Sequence, residues 1–206
     1  MTTENLDLSN QDTSFTNDVD LFAPVATLEI VSINMTEFLS TEQCTQILDS
    51  CIEELWLPVG VVGDNAKFHA SRRQKLRGDV DGFPFMNIRE ITKSANDTIY
   101  DFNLLGIIDQ DFPQIFKYAT KDFYNWHIEL SPVTPSRKIT FIINLSDPST
   151  YTGGNIEFLN VDAGNTKTNE QGSCLTFPSF MPWRLTPVTS GVKHIIIGHV
   201  HGALFK

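Results

Sequence analysis

A mainly β domain braced by N-terminal helices (α+β) is predicted by the order in which two periodicities appear along the chain. Helical spacing of apolar residues is confined to the first half, in residues 41–55 and 85–95. From His127 onward short β runs alternate with turns, most clearly at 137–145, 155–159, 172–177 and 193–201. Helices first and many short strands afterwards fit a double-stranded β-helix core, the jelly-roll or cupin-like architecture.

Each element has its own local reason. Residues 1–20 are rich in Thr, Asn, Asp, Ser and Gln and lack apolar periodicity, which predicts an extended polar arm. With the boundary set at residue 26, the chain divides into an arm, 1–26, and a barrel domain, 27–206. The stretch 28–33 alternates like a strand. Ser40-Thr41-Glu42-Gln43 reads as a helix start, with Ser40 as cap and Gln43 closing a capping box. Cys44, Ile47, Leu48, Cys51, Ile52 and Leu55 then fall on one helical face, and Pro58-Val59-Gly60 ends the element. Residues 60–82 carry Gly, Asp and basic side chains and are expected to form a long loop. Within it, Arg72-Arg73-Gln74-Lys75-Leu76-Arg77 is read as solvated or as an internal partner for the acidic head. Phe85–Ala95 is predicted as a second helix with Met86, Ile88, Ile91 and Thr92 on or near its inner face. The stretches 101–105 and 114–118 are read as strands leading into the barrel.

Composition narrows the function classes. The chain has 206 residues, 41% hydrophobic and 19% charged, enough for one domain with a sizeable core. Its net charge of −10 is segregated: residues 1–66 hold twelve acidic and no basic residues, whereas 67–206 hold thirteen acidic and fifteen basic. An acidic chain repels polyphosphate, so no nucleic-acid partner is expected. No apolar run reaches ~18 residues, so no membrane span is expected. No positive region followed by an apolar run opens the chain, so no secretory leader is expected and a cytoplasmic setting is, in a host cell or a virion. Cys44, Cys51 and Cys174 fit reduced thiols rather than a disulfide framework.

The most specific signal is a run of four motifs. Tyr124-Asn125-Trp126-His127-Ile128-Glu129 comes first, then Arg137-Lys138-Ile139-Thr140, then Tyr151-Thr152-Gly153-Gly154. The last runs from Met181-Pro182-Trp183-Arg184-Leu185-Thr186-Pro187-Val188-Thr189-Ser190-Gly191 to Val192-Lys193. This order resembles the 2-oxoglutarate/Fe(II)-dependent oxygenases of the prolyl-4-hydroxylase-like group, over about residues 36–206. The family pattern is His-x-Asp, Arg-Lys-(Leu/Ile)-(Ser/Thr), Tyr-x-Gly-Gly, and His-Arg-(Val/Leu)-Thr-Pro-Val-Thr-x-Gly-x-Arg. The resemblance implies Fe(II) and 2-oxoglutarate as cofactors, if the chain is active. It places His127 and Glu129 at two metal positions, with Glu129 where the family has Asp. It puts Trp183 at the distal histidine position and Lys193 where an Arg anchors the 2-oxoglutarate carboxylate. Tyr118 and Thr140 are further candidates for the wall of the cofactor pocket.

The departures can be weighed physically. Residues i and i+2 of a strand share a face, so His127 and Glu129 can reach one ion. Glutamate is one methylene longer than aspartate, so its oxygen overshoots by about 1.5 Å unless the rotamer folds back. Its non-metal reading is a hydrogen bond to His127 or Arg137. The Trp183 indole nitrogen is a donor only and cannot ligate a metal. No histidine is expected to substitute. His194 has the wrong strand parity, His199 lies about 20 Å beyond Lys193 along the strand, and His201 lies further still. His69 stays open. Without iron, Lys193 is expected to pair with Glu129.

Three functions are carried forward. In the first, the chain is a degenerate oxygenase-fold module with a structural or binding role. It would engage protein partners through arm 1–20 in a homo-oligomer or large assembly, such as the neck, tail or baseplate of a phage virion. In the second it is an active 2-oxoglutarate/Fe(II)-dependent hydroxylase acting on a peptidyl or small-molecule substrate. In the third it binds a small acid or peptide in the old pocket without chemistry.

Overall fold

The computed structural model describes residues 33–59, 69–159 and 169–205. Arm 1–26 and all but the last residue of the expected strand at 28–33 lie outside the described residues. Strand β1 covers Ile33–Met35 and helix α1 covers Thr41–Asp49. The capping box is present: the Ser40 hydroxyl accepts from the Gln43 backbone at 3.2 Å, and the Gln43 side chain accepts from the Ser40 backbone at 2.9 Å. Such a cap stabilises a helix by about 1 kcal/mol. Cys44 and Ile47 are buried and Leu48 and Cys51 half-buried, as the spacing predicts.

The helix stops six residues short of the expected end at Leu55. Ser50 caps it and the Ile52 amide turns away to donate to the Gln74 side chain, leaving only a single 3-10 turn at Glu53–Leu55. Ile52 and Leu55 are therefore exposed. Helix α2 spans Phe85–Ala95 as expected, burying Ile88, Ile91 and Thr92, whereas Met86 faces solvent, half exposed.

The expected loop 60–82 is the main correction; its first nine residues lie outside the described ones. Strand β2 (Leu57–Pro58) precedes this region, and β3 (His69–Ala70) and β4 (Arg72–Lys75) lie within it. The basic run gives no apolar alternation, yet β4 is paired on both sides, by β2 and by β6 (Gln114–Tyr118). Gln74 and Leu76 turn inward to the core while Lys75 stays exposed. Pairing partners, not intrinsic propensity, make this segment a strand.

Strands β5 (Leu104–Gly106), β7 (Phe123–His127), β8 (Arg137–Asn144), β9 (Tyr151–Gly153) and β10 (Ile156–Phe158) follow. The chain ends in β11 (Cys174–Pro178), β12 (Trp183–Leu185), β13 (Val188–Gly191) and β14 (Lys193–Gly202). An eight-stranded sheet runs β1-β11-β8-β14-β6-β4-β2, with β5 also on β14. A four-stranded sheet, β10-β12-β7-β3, faces it, and β13 pairs with β9. All of these pairs are antiparallel.

Strand alternation divides the large sheet between two cores. Ile139, Phe141 and Ile143 of β8, with Ile196 and Val200 of β14, pack toward α1 and α2. Ile142, Ile195 and Ile197 point into the barrel, against Phe158, Phe177, Trp183 and Leu185. His194 has the parity expected and faces away from the barrel interior, its ring 5.9 Å from that of Trp56. Gly153 and Gly154 form a turn, with φ of 76° and 63°. A Cβ on Gly153 would lie 2.3 Å from the Pro187 carbonyl, so the turn requires glycine twice over, for space and for backbone sign. Among the described residues no helix is long and apolar enough to cross a membrane.

Candidate functional site

The pairing of β7 with β12 sets the geometry of the site. In this register His127 lies opposite Trp183. Trp183 is fully buried, with its ring 4.6 Å from the His127 imidazole, 5.4 Å from Tyr124 and 5.9 Å from Phe177. The last two contacts are edge-on, a favoured arrangement for aromatic rings. The indole Nε1 is buried without a hydrogen-bond partner among the described residues. That is a cost of about 1–3 kcal/mol, which the aromatic packing offsets.

His127 Nδ1 lies 2.7 Å from the Asn125 carbonyl, which can only accept, so this nitrogen donates. The bond turns Nε2 onto Glu129 Oε1 at 3.0 Å. The other carboxylate oxygen receives Arg137 Nη1 at 2.8 Å, and His199 Nε2 lies 3.3 Å away, off the line a hydrogen bond needs. Of the two alternatives open for Glu129, both are realised: it meets His127 and Arg137 together. Burial pushes the Glu129 carboxyl pKa up. The imidazoles of His127 and His199 outweigh that and hold it well below the usual carboxylate range.

A second carboxylate stands behind the first. Asp111 receives the Arg137 fork through Nε at 2.6 Å and Nη2 at 2.8 Å. It also meets His199 Nδ1 at 3.2 Å and His201 Nε2 at 3.0 Å. Burial raises the Asp111 pKa, but His199 and Arg137 overcome it and the net shift is downward. A carboxylate only accepts, so His201 Nε2 donates to it and Nδ1 accepts from the Ser136 hydroxyl at 2.8 Å. Burial depresses the His199 pKa, yet the two carboxylates carry it above the usual value. In His201 burial prevails and the shift is downward.

The placement of His199 corrects the expectation that it lies out of reach of the metal positions, about 20 Å beyond Lys193. Its inward parity was legible, but its distance was counted along the strand from Lys193. The barrel closes across the strands, so the far end of β14 meets the segment after β7. Asp111 was not anticipated either. It sits in a 3-10 turn at Asp109–Asp111, and the one available signal was that a half-buried Arg137 requires an acidic partner. The backbone of His69 pairs opposite Tyr124.

Lys193 is fully buried, but it does not pair with Glu129 as expected. Its Nζ donates to the Gly154 carbonyl and to Asn169 Oδ1, each at 2.7 Å, and lies 5.1 Å from the Tyr151 ring. Burial pushes its pKa down to about 7. Thr140 is buried and bonded to the Ser179 hydroxyl at 2.9 Å. Tyr118 is buried, hydrogen-bonded to Ser71, and its pKa is raised by that burial. A cleft of about 170 Å³ opens beside Glu129, lined by Arg73, Gln114, Tyr124, Arg137 and His199 among others. Lys193, Tyr118 and Thr140 are not part of that lining. Among the described residues no group of three or more His, Cys, Asp or Glu side chains is arranged to hold a metal ion.

Comparison with known proteins places this geometry. Residues 113–201, from just before β6 to the penultimate residue of β14, match the family described as the 2OG-Fe(II) oxygenase superfamily. A PKHD-type hydroxylase of Hyphomonas neptunium is 32% identical over 89 residues, covering 40% of this chain and 39% of that protein. One from a Synechococcus species is 27% identical over 87 residues, covering 42% and 40%. The chain thus spans about two fifths of the length of the curated relatives it matches.

Among solved structures, the Pseudomonas putida prolyl-4-hydroxylase superposes with a TM-score of 0.64 at 14% identity, over 84% of this chain and 92% of that one. The viral collagen prolyl hydroxylase of Paramecium bursaria Chlorella virus-1 gives 0.61 at 16% identity, over 85% and 98%. At such identity the likeness concerns the fold. The segment that carries His127, Glu129 and Trp183 is thus similar to the 2OG-Fe(II) oxygenase superfamily, and the barrel around it has the fold seen in prolyl hydroxylases.

Proposed function

We propose that this chain uses the oxygenase barrel as a binding or structural module without oxygenase chemistry. The observation that carries this reading is Trp183, fully buried at the position opposite His127 where the family pattern has its second histidine. Iron in this superfamily needs two histidines and a carboxylate on one face of the ion. His127 and Glu129 supply one nitrogen and one oxygen, and the indole supplies no lone pair. His199 has both ring nitrogens against carboxylates, Nε2 at 3.3 Å from Glu129 and Nδ1 at 3.2 Å from Asp111. The donors present therefore do not fit the family's metal. The anchor for the cosubstrate is also engaged, since Lys193 is held by Gly154 and Asn169 inside the fold.

A barrel released from catalysis can serve as a component of a larger assembly. The polar, acidic arm supports this reading, with attachment to a neighbouring protein as its use and a phage virion as the setting. The competing reading is an active hydroxylase on a peptidyl or small-molecule substrate. It is favoured by the names of the relatives and by one feature of the site. The Asn125 carbonyl orients His127 as a ligating histidine is usually oriented, with Nε2 beside a carboxylate oxygen.

Anaerobic addition of Fe(II) and 2-oxoglutarate separates the two. The module reading predicts no visible charge-transfer band and no uncoupled decarboxylation; the appearance of both would overturn it. Trp183→His together with Glu129→Asp should then create metal affinity in the same barrel.

A further inference from the structure

Beside the cleft at Glu129 lies a second, wider trough of about 450 Å³, and the two share Arg73, Phe112 and Gln114 in their walls. The outer trough adjoins the inner cleft, and its chemistry is distinctive. Leu55 and Leu57 in its wall are 45% and 61% exposed. Arg73, Lys75 and Arg77 follow one another two residues apart along β4 and just beyond it. In an extended strand this puts them on one face at a spacing of about 7 Å. Lys75 sits 4.1 Å above the Phe112 ring, and none of the three cations pairs with a carboxylate among the described residues. Asp109 is the acidic residue of this wall.

The surface thus asks for an extended segment with carboxylates two residues apart and an apolar side chain to cover the leucines. The chain itself contains one. Residues 1–32 hold six acidic and no basic residues, and within them runs Asp18-Val19-Asp20-Leu21-Phe22. In an extended stretch Asp18, Asp20 and Phe22 would share one side at the spacing of the β4 cations. Length permits the contact. Chain enters the described fold at Ile33 in β1, five strands away from β4 across the sheet. At about 4.8 Å per strand that is roughly 24 Å. Thirteen residue steps lead from Asp20 to Ile33, enough to span about 43 Å. A tethered segment of this kind is present at an effective concentration in the millimolar range, which lowers the affinity that the ion pairs and the apolar contact together must supply.

We propose that the trough beside β4 is a docking site for this chain's own acidic segment around Asp18 and Asp20. The docking is an ionic latch: it holds at low salt and releases as screening increases. It does not depend on whether the barrel binds iron.

Zero-length carbodiimide coupling of the full chain tests it, because this reagent joins a carboxylate only to an amine in contact with it. Lys75 should be joined to Asp18 or Asp20 within a single chain, as mapped by peptide mass spectrometry. The yield should fall several-fold at about 1 M salt, where the Debye length is ~3 Å. Asp18→Asn with Asp20→Asn should reduce it as much, and so should Arg73→Glu with Arg77→Glu, with the circular dichroism spectrum unchanged in each case. Three outcomes would overturn the proposal. Lys75 could couple to nothing in residues 1–32, or couple only between two chains, which would make a second copy the occupant. It could also couple equally to Glu4 and Glu29 regardless of the two asparagine substitutions.

Discussion

Lys193 should make the stability of this protein rise with pH across a range where most proteins are flat or falling. Its ammonium lies in the barrel interior, and burial lowers its pKa to about 7 against 10.5 for a free side chain. Between those values the unfolded chain holds a proton that the folded chain has released. Unfolding then takes up a proton, and stability increases with pH, by at most about 1.4 kcal/mol per pH unit. Below about pH 7 both states are protonated and the whole cost of burying the charge is present; by about pH 10 it is relieved, a difference of at most about 5 kcal/mol. The neutral amine still has two N–H groups, enough for the Gly154 carbonyl and Asn169 Oδ1, so deprotonation costs no hydrogen bond. The Tyr151 ring at 5.1 Å favours the cation and reduces the effect.

Lys193→Met isolates the contribution, since methionine fills the volume and does not titrate. It leaves two acceptors without donors, at about 1–3 kcal/mol each, but removes the buried charge. The variant should be close to wild type at about pH 6 and several kcal/mol less stable at about pH 10, where the wild type carries a neutral amine. Urea denaturation of both proteins at several pH values reads this directly. Parallel stability curves, with a constant gap at all pH values, would refute the argument, because they would mean that Lys193 titrates alike in the folded and unfolded chain.

Other substitutions test other parts of the account by the same denaturation measurement. Ser40→Ala removes the cap of α1 and should cost about 1 kcal/mol, with no change at the barrel site. Arg137→Met leaves the Asp111 and Glu129 carboxylates without their shared cation and should cost about 3–5 kcal/mol. Asp111→Asn added to that variant should recover part of the loss, whereas simple addition of two penalties would contradict the network. Gly198→Ala places a Cβ 2.3 Å from the Phe141 ring and should cost about 1–3 kcal/mol through overpacking; a neutral effect would show the two cores to be looser than described.

The elements most legible in the sequence were those governed by local rules. The Ser40–Gln43 box, the extent of α2, the β6 strand and the Gly153-Gly154 turn all follow from caps, periodicity or backbone sign, and each is present. Strand β4 was not legible, because a run of arginines and lysines becomes a strand only when β2 and β6 flank it. At the site, the i and i+2 rule brought His127 and Glu129 together, and the alignment of motifs put Trp183 opposite His127. The cross-barrel partners escaped, for a single reason. Asp111, His199 and His201 are separated from Glu129 by 18, 70 and 72 positions in sequence, and only the closure of the sheets makes them neighbours. Charge alone pairs Lys193 with Glu129. Its true acceptors are a turn carbonyl and an amide, groups that carry no charge signal in a sequence.

The central claim is that Trp183 takes the place of a metal ligand and the barrel keeps its fold without iron. Elemental analysis of the native chain, purified anaerobically after growth in excess iron, measures this most directly. The account predicts iron far below one equivalent per chain in a fully folded protein. One tightly held iron per chain, removed by a chelator and restored by Fe(II), would contradict it.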